Sequence, residues 1–262
     1  MKILAIDSSG LVATVAVTED DSLIAEYTIN YKKTHSQTLV PMLEEVKKMI
    51  GLDLGTIDAI AVAKGPGSFT GLRIGSATAK GLGLALDKPI IPVSTLDALS
   101  MNAWGSDKLV CPIMDARREQ VYTGLYRFEE GNLTVVKEPC PMAVDELCDI
   151  LNDMDEPVLF LGDGVPVYKD KIDELLKTGH AYAPAHMSRQ RAGALAVLAA
   201  RYYEEGRIET AADHKPEYLR QSQAERVRER TIREADSDCA TDMPPNGCEG
   251  ASPMRESTNV DP

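Results

Sequence analysis

The chain has 262 residues, and its 28 basic and 41 acidic side chains give a net charge of −13. This charge opposes phosphate backbones, and aromatic residues are only 5% of the chain, so stacking platforms for unpaired bases are scarce. We therefore expect no independent binding of nucleic acid. The length suits one large or two medium domains, and we favour two.

The cysteine content and the hydrophobic runs indicate an intracellular location. The five cysteines are odd in number and form no CxxC pair, so we expect reduced thiols rather than a disulfide framework or a zinc knuckle. No apolar run reaches about 18 residues, and the N-terminus enters a strand pattern directly. We therefore expect no membrane span and a cytoplasmic protein.

The first half of the chain predicts an antiparallel meander followed by alternating helices and strands. Short apolar runs bounded by turn residues indicate strands, and apolar residues at helical spacing indicate helices. The predicted strands lie at 2–7, 11–18, 23–31, 57–63 and 89–93, and the predicted helices at 35–50, 68–86 and 95–103. This order predicts a mixed sheet with helices on its faces.

The same order then begins again, which predicts a structural duplication with a hinge near residues 102–107. The second set comprises strands at 108–114, 120–128, 133–137 and 158–161, and helices at 144–151 and 165–176. We therefore predict domains at 1–103 and 108–222. The alanine-rich helix at 190–205 is expected to pack back on the first domain. Residues 223–262 are predicted to be a charged extension and disordered tail, because few apolar residues remain to form a core.

The glycine-rich stretch KGPGSFTGLRIGSATAKGLGLAL is the most unusual segment. After the loop, Ser68 or Thr70 is expected to cap a helix in which Gly71, Gly75, Ala79 and Gly83 recur every four residues. Glycine costs about 1 kcal/mol relative to alanine inside a helix, so this face is expected to serve close packing. The loop lacks the GK[ST] ending of a P-loop. We therefore interpret the stretch as a docking surface for another helix.

Two predicted strands end in an aspartate followed by a turn, as strands do where they hold metals or phosphates. The pattern is found at Asp7 with Ser8, at Asp115, and in the loop of Gly162, Asp163 and Gly164. An aspartate that simply begins a turn fits it equally. The four histidines show no HExxH or HxxxH pair, so no metal site is expected. We interpret these loops as vestigial nucleotide or phosphate loops.

Seven segments together resemble the TsaB (YeaZ) family over about residues 1–222. They are IDSS at 6–9, HSQTLVPML at 35–43, GPGSFTGLRIG at 65–75, IPVSTLDALS at 91–100, DARREQVY at 115–122, GDG at 162–164 and PEYLR at 216–220. The resemblance implies an α/β fold of duplicated actin-like (RNase H-like, ASKHA) domains. It also implies a role in making threonylcarbamoyladenosine at position 37 of tRNAs that read codons beginning with A.

The resemblance further implies a subunit without catalysis of its own. The catalytic paralogue TsaD holds a metal with an HxxxH motif, and the matching positions here are Thr95 and Leu99, neither of which can ligate as imidazole does. The implied partners are TsaD and the ATPase TsaE, with a homodimer when the chain is alone, and tRNA only through the complex. No cofactor of its own is implied; ATP or ADP would bind only in the assembled complex.

The implied partner interface comprises the two predicted helices at 35–50 and 68–86. Its candidate residues are His35, Leu39, Leu43, Val46, Ile50, Gly71, Gly75, Ala79 and Gly83. The alternative is that both stripes only cover their own sheet. Two other functions also stay open: a metal-dependent glycopeptidase, and a small-molecule ATPase or kinase that uses Asp7 and Asp115.

Overall fold

Two five-stranded mixed sheets organise the described residues, 1–31 and 34–219, of this computed structural model. Residues 1–220 group into one compact unit. The extension and tail predicted at 223–262 lie outside the described residues. None of the described helices is long and apolar enough to cross a membrane.

The first sheet has the strand order β3-β2-β1-β4-β5. Strand β1 pairs antiparallel with β2 and parallel with β4, so the meander and the βα units share one sheet. The elements of this half are β1 (Lys2–Asp7), β2 (Ala13–Glu19), β3 (Ser22–Ile29), α1 (His35–Ile50), β4 (Ala59–Gly65), α2 (Phe69–Leu86), β5 (Ile90–Ser94) and α3 (Thr95–Ser100).

The second sheet repeats this plan strand for strand. Its order is β8-β7-β6-β9-β10, with β6 in the place of β1. Its elements are β6 (Leu109–Asp115), β7 (Gln120–Glu129), β8 (Asn132–Ala143), α4 (Val144–Met154), β9 (Val158–Leu161), α5 (Val165–Leu175), β10 (His180–Tyr182) and α6 (Ala192–Glu204). The predicted fold class, a duplicated actin-like α/β arrangement, is confirmed.

Two details of the second half differ from the sequence prediction. The segment around His180, where no strand was predicted, forms β10 and pairs parallel with β9. His186 lies exposed in a turn. Strand β8 extends to Ala143 rather than ending at 137, because its pairing with β7 continues beyond a register shift near Leu125. Short strands and bulges carry little sequence signal, since pairing partners far along the chain decide them.

Alternate residues of the first sheet face different helices. One face, which includes Leu4, Ile6 and Val15, packs against α1 and α2. The other face is rich in small residues and packs against α6, whose Leu195 and Ala199 are buried there. The alanines on the two sides of this contact are Ala5, Ala16, Ala59, Ala61, Ala63, Ala192, Ala196 and Ala199. Small side chains on both sides let the helix lie close to the sheet.

The N-terminus of α6 is capped by side chains of the first sheet rather than by its own flanking residue. Arg191, at the cap position, makes no side-chain cap. The Ala192 amide instead donates to Thr14 Oγ1 at 3.1 Å, and the Gly193 amide donates to Glu26 Oε1 at 2.9 Å. Glu26 also forms an ion pair with Arg191. Free amides at a helix start need acceptors, so the sheet fixes where α6 begins.

Helix α3, the counterpart of α6 in the first half, lies between the sheets. Leu96 and Leu99 pack with Val110, Met114 and Tyr126 of the second sheet. Ala98, on the same helix, belongs to the core that α6 forms with the first sheet. Helices α3 and α6, each the third helix of its half, therefore join the two halves of the chain.

Candidate functional site

The turn after β1 is deeply buried and holds the first predicted aspartate. Asp7 is 1% exposed, and its Oδ1 accepts a hydrogen bond from the Ser9 amide at 2.8 Å. Burial raises the pKa of the Asp7 carboxyl to about 6, although the hydrogen bonds from Ser9 act in the opposite direction. The Asp7 carboxyl is therefore surrounded by other protein atoms and shielded from solvent.

Helix α2 packs directly on this turn. Ser68 caps the helix, as predicted, by accepting from the Gly71 amide at 3.3 Å, and its own amide donates to Ser9 O at 2.6 Å. Ser8 Oγ donates to Gly71 O at 2.8 Å. Hydrogen bonds in both directions thus fix the helix start on the β1 turn.

The stripe of small residues on α2 is used inside the chain. A Cβ at Gly71 would lie 2.1 Å from Ser8 O, and one at Gly75 would lie 2.6 Å from Ser8 Oγ. Ala79 is fully buried, and a Cβ at Gly83 would lie 2.9 Å from the Cβ of Ala211. The expectation that this face is open to another protein is therefore corrected: the turn after β1 and the loop near Ala211 occupy it.

The predicted stripe on α1 also faces inward. Leu39 and Val46 are buried in the core of the first sheet, and Leu43 and Ile50 pack partly buried against it. His35, the first residue of α1, donates from Nε2 to Gly10 O at 2.8 Å, which attaches the helix to the β1–β2 turn. The alternative interpretation, in which the stripe covers its own sheet, accounts for these positions.

The outward face of α2 carries a second row of small and apolar residues that the sequence analysis missed. Ala77, Gly81 and Leu84 are exposed, and Leu84 keeps 66% of its surface. A Cβ at Gly81 would meet no atom within 4 Å among the described residues outside its own helix backbone. On α1, which packs in the same core, Val40 is 57% exposed. This row could have been recognised in the sequence, because residues 77, 81 and 84 are spaced so that they lie on one face of the helix.

The second half brings the other predicted loops together. Gly162 and Gly164 pass so close to β6 that a Cβ at Gly162 would lie 2.1 Å from Ile113 O. Asp163 Oδ1 accepts from the Asp115 amide at 3.3 Å, and burial raises the pKa of the Asp163 carboxyl. Asp115 accepts from Tyr168 at 3.0 Å. The Asp115 and Asp163 side chains thus accept hydrogen bonds from neighbouring residues of the second half.

Gln190 connects the two aspartate turns and was not singled out from the sequence. Its side chain is buried, and its Nε2 contacts Met114 Sδ at 3.8 Å, next to Asp115. On the other side, the same amide lies against Gly10, where a Cβ would approach within 2.7 Å. One buried side chain therefore contacts both the end of β6 and the turn after β1.

Thr95 and Leu99 are the positions that the resemblance matches to the metal-binding histidines of the catalytic paralogue. Both are fully buried on α3, and Leu99 belongs to the apolar core with Val110 and Tyr126. An aliphatic side chain offers no lone pair to a metal.

Comparison with known proteins identifies the family. A family model described as "TsaD: tRNA N6-adenosine threonylcarbamoyltransferase" matches residues 22–227. The chain is 39% identical over 228 residues to "tRNA threonylcarbamoyladenosine biosynthesis protein TsaB" of Bacillus subtilis (strain 168), covering 86% of this chain and 96% of the relative. It is 30% identical over 231 residues to the protein of the same name from Escherichia coli (strain K12), covering 86% and 96%.

Among solved structures, "YeaZ from Pseudomonas aeruginosa" aligns with a TM-score of 0.72 and 26% identity. The alignment covers 83% of this chain and 99% of that one. Sequence and fold thus agree over nearly the full length of the relatives. The chain belongs to the TsaB (YeaZ) family of tRNA threonylcarbamoyladenosine biosynthesis proteins.

Proposed function

We propose that this chain is a non-catalytic subunit that binds the catalytic paralogue TsaD and keeps it active in transferring a threonylcarbamoyl group to adenosine 37 of tRNAs reading codons beginning with A. The ATPase TsaE joins the assembly, and tRNA is reached only through it. In the absence of TsaD, the same surface pairs two copies of this chain. The complex acts in the cytoplasm.

The outward row Ala77, Gly81 and Leu84 on α2 carries this proposal. Small residues let another helix approach closely, and exposed leucine supplies apolar area at a contact. Val40 of the neighbouring α1 would extend the contact. The helices implied by the family resemblance are thus retained, but their outward faces replace the buried stripes as the proposed surface.

The lack of independent catalysis is supported by the residues at the two aspartate turns. Gln190 lies between Met114 and Gly10, and one oxygen of each of the Asp7 and Asp163 carboxyls accepts a backbone hydrogen bond. We propose that Asp7, Ser8, Asp115 and the 162–164 loop are retained for folding, and that ATP or ADP binds only in the assembled complex.

The interface is tested by placing charge on the outward row. Gly81→Glu and Leu84→Asp should weaken co-purification with TsaD at least tenfold, because a buried unpaired carboxylate is costly. The control is Val167→Asp, an equally charged change at a residue of α5 that is 56% exposed. Undiminished TsaD binding by both α2 variants would exclude this surface.

The activity is tested by reconstitution. TsaD, TsaE, ATP, tRNA and an activated threonylcarbamoyl donor, with and without this chain, should give modified adenosine efficiently only when the chain is present. The chain alone should give none. Modification by the isolated chain, or full modification without it, would refute the proposed role.

A further inference from the structure

Helix α2 carries opposite charges at the two ends of its exposed side. The helix itself has two charged side chains, Arg73 near its start and Lys80, and Asp87 follows its last residue as the C-cap. Lys80 is engaged on the flank of the helix, where its Nζ donates to Ala212 O and His214 O at 2.9 Å each. Arg73 and Asp87 are both exposed. The charges left on the exposed side are therefore a cation at one end and an anion at the other.

The Arg73 guanidinium is held in one orientation but is not paired with a carboxylate within the described residues. Its central carbon lies 3.9 Å from the centre of the Phe69 ring, and its Nε donates to the Tyr218 hydroxyl at 3.2 Å. The centres of the two aromatic rings are 4.6 Å apart. The terminal nitrogens Nη1 and Nη2 form no hydrogen bond with a described residue. A guanidinium fixed in this way presents a fork of free donors, which fits a carboxylate.

Both charges stand at the end of α2 where the helix dipole does not favour them. A helix start carries partial positive charge and a helix end partial negative charge. Arg73 lies just beyond the first turn, which has no acidic residue to compensate it. Asp87 caps the opposite end, where no described residue forms an ion pair with it, and the following Lys88 is half-buried. Each end of α2 therefore lacks an opposite charge that a second helix could supply.

The outward row lies midway between the two charges. Ala77, Gly81 and Leu84 fall between Arg73 and Asp87 in the sequence. Residues 73, 77 and 84 lie within about 40° of one another around the helix, so they share a face. Positions 73 and 87 are separated by about 21 Å along the helix axis, so the two side chains cannot pair within one copy. The face is thus self-complementary, with a cation, a small apolar centre and an anion in succession.

We propose that two copies of this chain pair through antiparallel α2 helices, with Arg73 of each copy on Asp87 of the partner subunit. The inference rests on the proposed function, because it takes the outward row as the contact surface. In a two-fold contact, the pair that residue i makes with residue j is made again by j with i. Antiparallel helices therefore form the ion pair twice, whereas parallel helices would bring the two arginines together.

The same pairing gives each residue of the outward row a place. The two-fold axis passes near Gly81, where the absence of a side chain on both helices allows a close approach. Ala77 then faces Leu84 of the partner subunit, so that a small side chain meets a large one. We infer that the apolar contact sets the distance between the helices and the two ion pairs set their direction and register.

The test is sedimentation equilibrium of the full chain without TsaD, at one fixed ionic strength. Arg73→Glu and Asp87→Lys each place like charges opposite one another twice, and each should raise the Kd of the dimer about tenfold or more. An equimolar mixture of the two variants should dimerise as well as the unsubstituted chain. In the mixed dimer the introduced glutamate faces the introduced lysine, and the remaining Arg73 faces the remaining Asp87.

Control variants separate this pairing from the overall negative charge of the chain. Lys177→Glu and Asp153→Lys make the same charge changes at exposed positions of the second half and should leave the Kd of the dimer unchanged. Thermal unfolding shows whether each variant folds. If a reversed variant does not, Arg73→Gln and Asp87→Asn decide, and each should raise the Kd severalfold. Asparagine also accepts the φ of 52° at position 87.

Three outcomes would overturn the pairing. They are an unchanged Kd in Arg73→Glu and Asp87→Lys, a mixture of the two that stays as weak as either variant, or an equal weakening by the control variants. Co-purification of the same variants with TsaD is measured alongside. If they lose TsaD but dimerise normally, both charges belong to the contact with TsaD instead. If the unsubstituted chain is monomeric, the homodimer is excluded, while its binding to TsaD still decides the proposed function.

Discussion

The side-chain amide of Gln190 lies against the backbone of Gly10, so closely that a Cβ on Gly10 would come within 2.7 Å of its Nε2. Gln190 precedes α6, and Gly10 belongs to the turn after β1. One buried side chain thus spans the junction between the two repeats. The absence of a side chain at position 10 makes room for it.

This contact predicts a strong coupling between positions 10 and 190. Gly10→Ala should lower the free energy of unfolding by about 1–3 kcal/mol, because the added methyl forces the Gln190 amide to move. Gln190→Ala removes the obstacle, so Gly10→Ala should cost much less in that background. A double-mutant cycle measured by urea denaturation checks this. Additive effects would contradict the contact.

The glycines of α2 should differ sharply although they share one helix. Gly71→Ala should lower the free energy of unfolding by about 3 kcal/mol or more, since its Cβ would overlap the backbone oxygen of Ser8. Gly81→Ala has open space and should stabilise by up to about 1 kcal/mol through helix propensity. Urea midpoints of the two variants give the comparison. Similar effects would show that the inward packing is wrong.

Stability should depend on pH through Asp7. Its folded pKa of about 6 exceeds the unfolded value of about 3.9, so the folded state binds the proton more tightly. The resulting stabilisation is complete below about pH 4 and is lost as the pH rises through 6. The shift of about two units corresponds to about 3 kcal/mol.

Asp7→Asn isolates this effect, because the amide is neutral at every pH and can still accept from the Ser9 amide. Its free energy of unfolding, relative to the unsubstituted chain, should rise by about 3 kcal/mol between pH 4 and pH 8. Urea denaturation of both proteins at each pH measures the difference. A difference that does not change with pH would contradict the buried carboxyl.

The capping of α6 from the first sheet predicts stability losses at residues far from that helix in sequence. Thr14→Val should cost about 1 kcal/mol, as loss of a helix cap does. Glu26→Ala removes an acceptor and an ion-pair partner and should cost about 2 kcal/mol. Glu19→Ala, at an exposed residue of β2, is the control for Glu26. If Glu26→Ala unfolds at the same urea concentration as this control, the cap is not formed.

The sequence was sufficient to predict most of the fold. Short apolar runs and helical spacing identified nine of the ten strands and all six α-helices of the described residues, since those patterns reflect what each element buries. It did not identify β10, whose three residues depend on β9 for pairing. The strand order within each sheet was not predicted, because it depends on pairing between strands that lie far apart in the sequence.

The candidate site was harder to predict, and α2 shows why. The sequence correctly indicated that something packs closely on Gly71 and Gly75, because glycine is costly in a helix. Spacing alone could not distinguish another protein from a turn of the same chain, and the occupant is Ser8. Gln190 gave no local signal, since it contacts residues that only the fold brings together.

The position of α6 also bears on the order of events during synthesis. The small-residue face of the first sheet is covered by residues 192–204, which leave the ribosome long after β5 is complete. Until then, a row of alanines and isoleucines stays exposed to water. The first repeat cannot mature as an independent module on the ribosome, and nascent chains truncated before residue 192 should be substrates for chaperones.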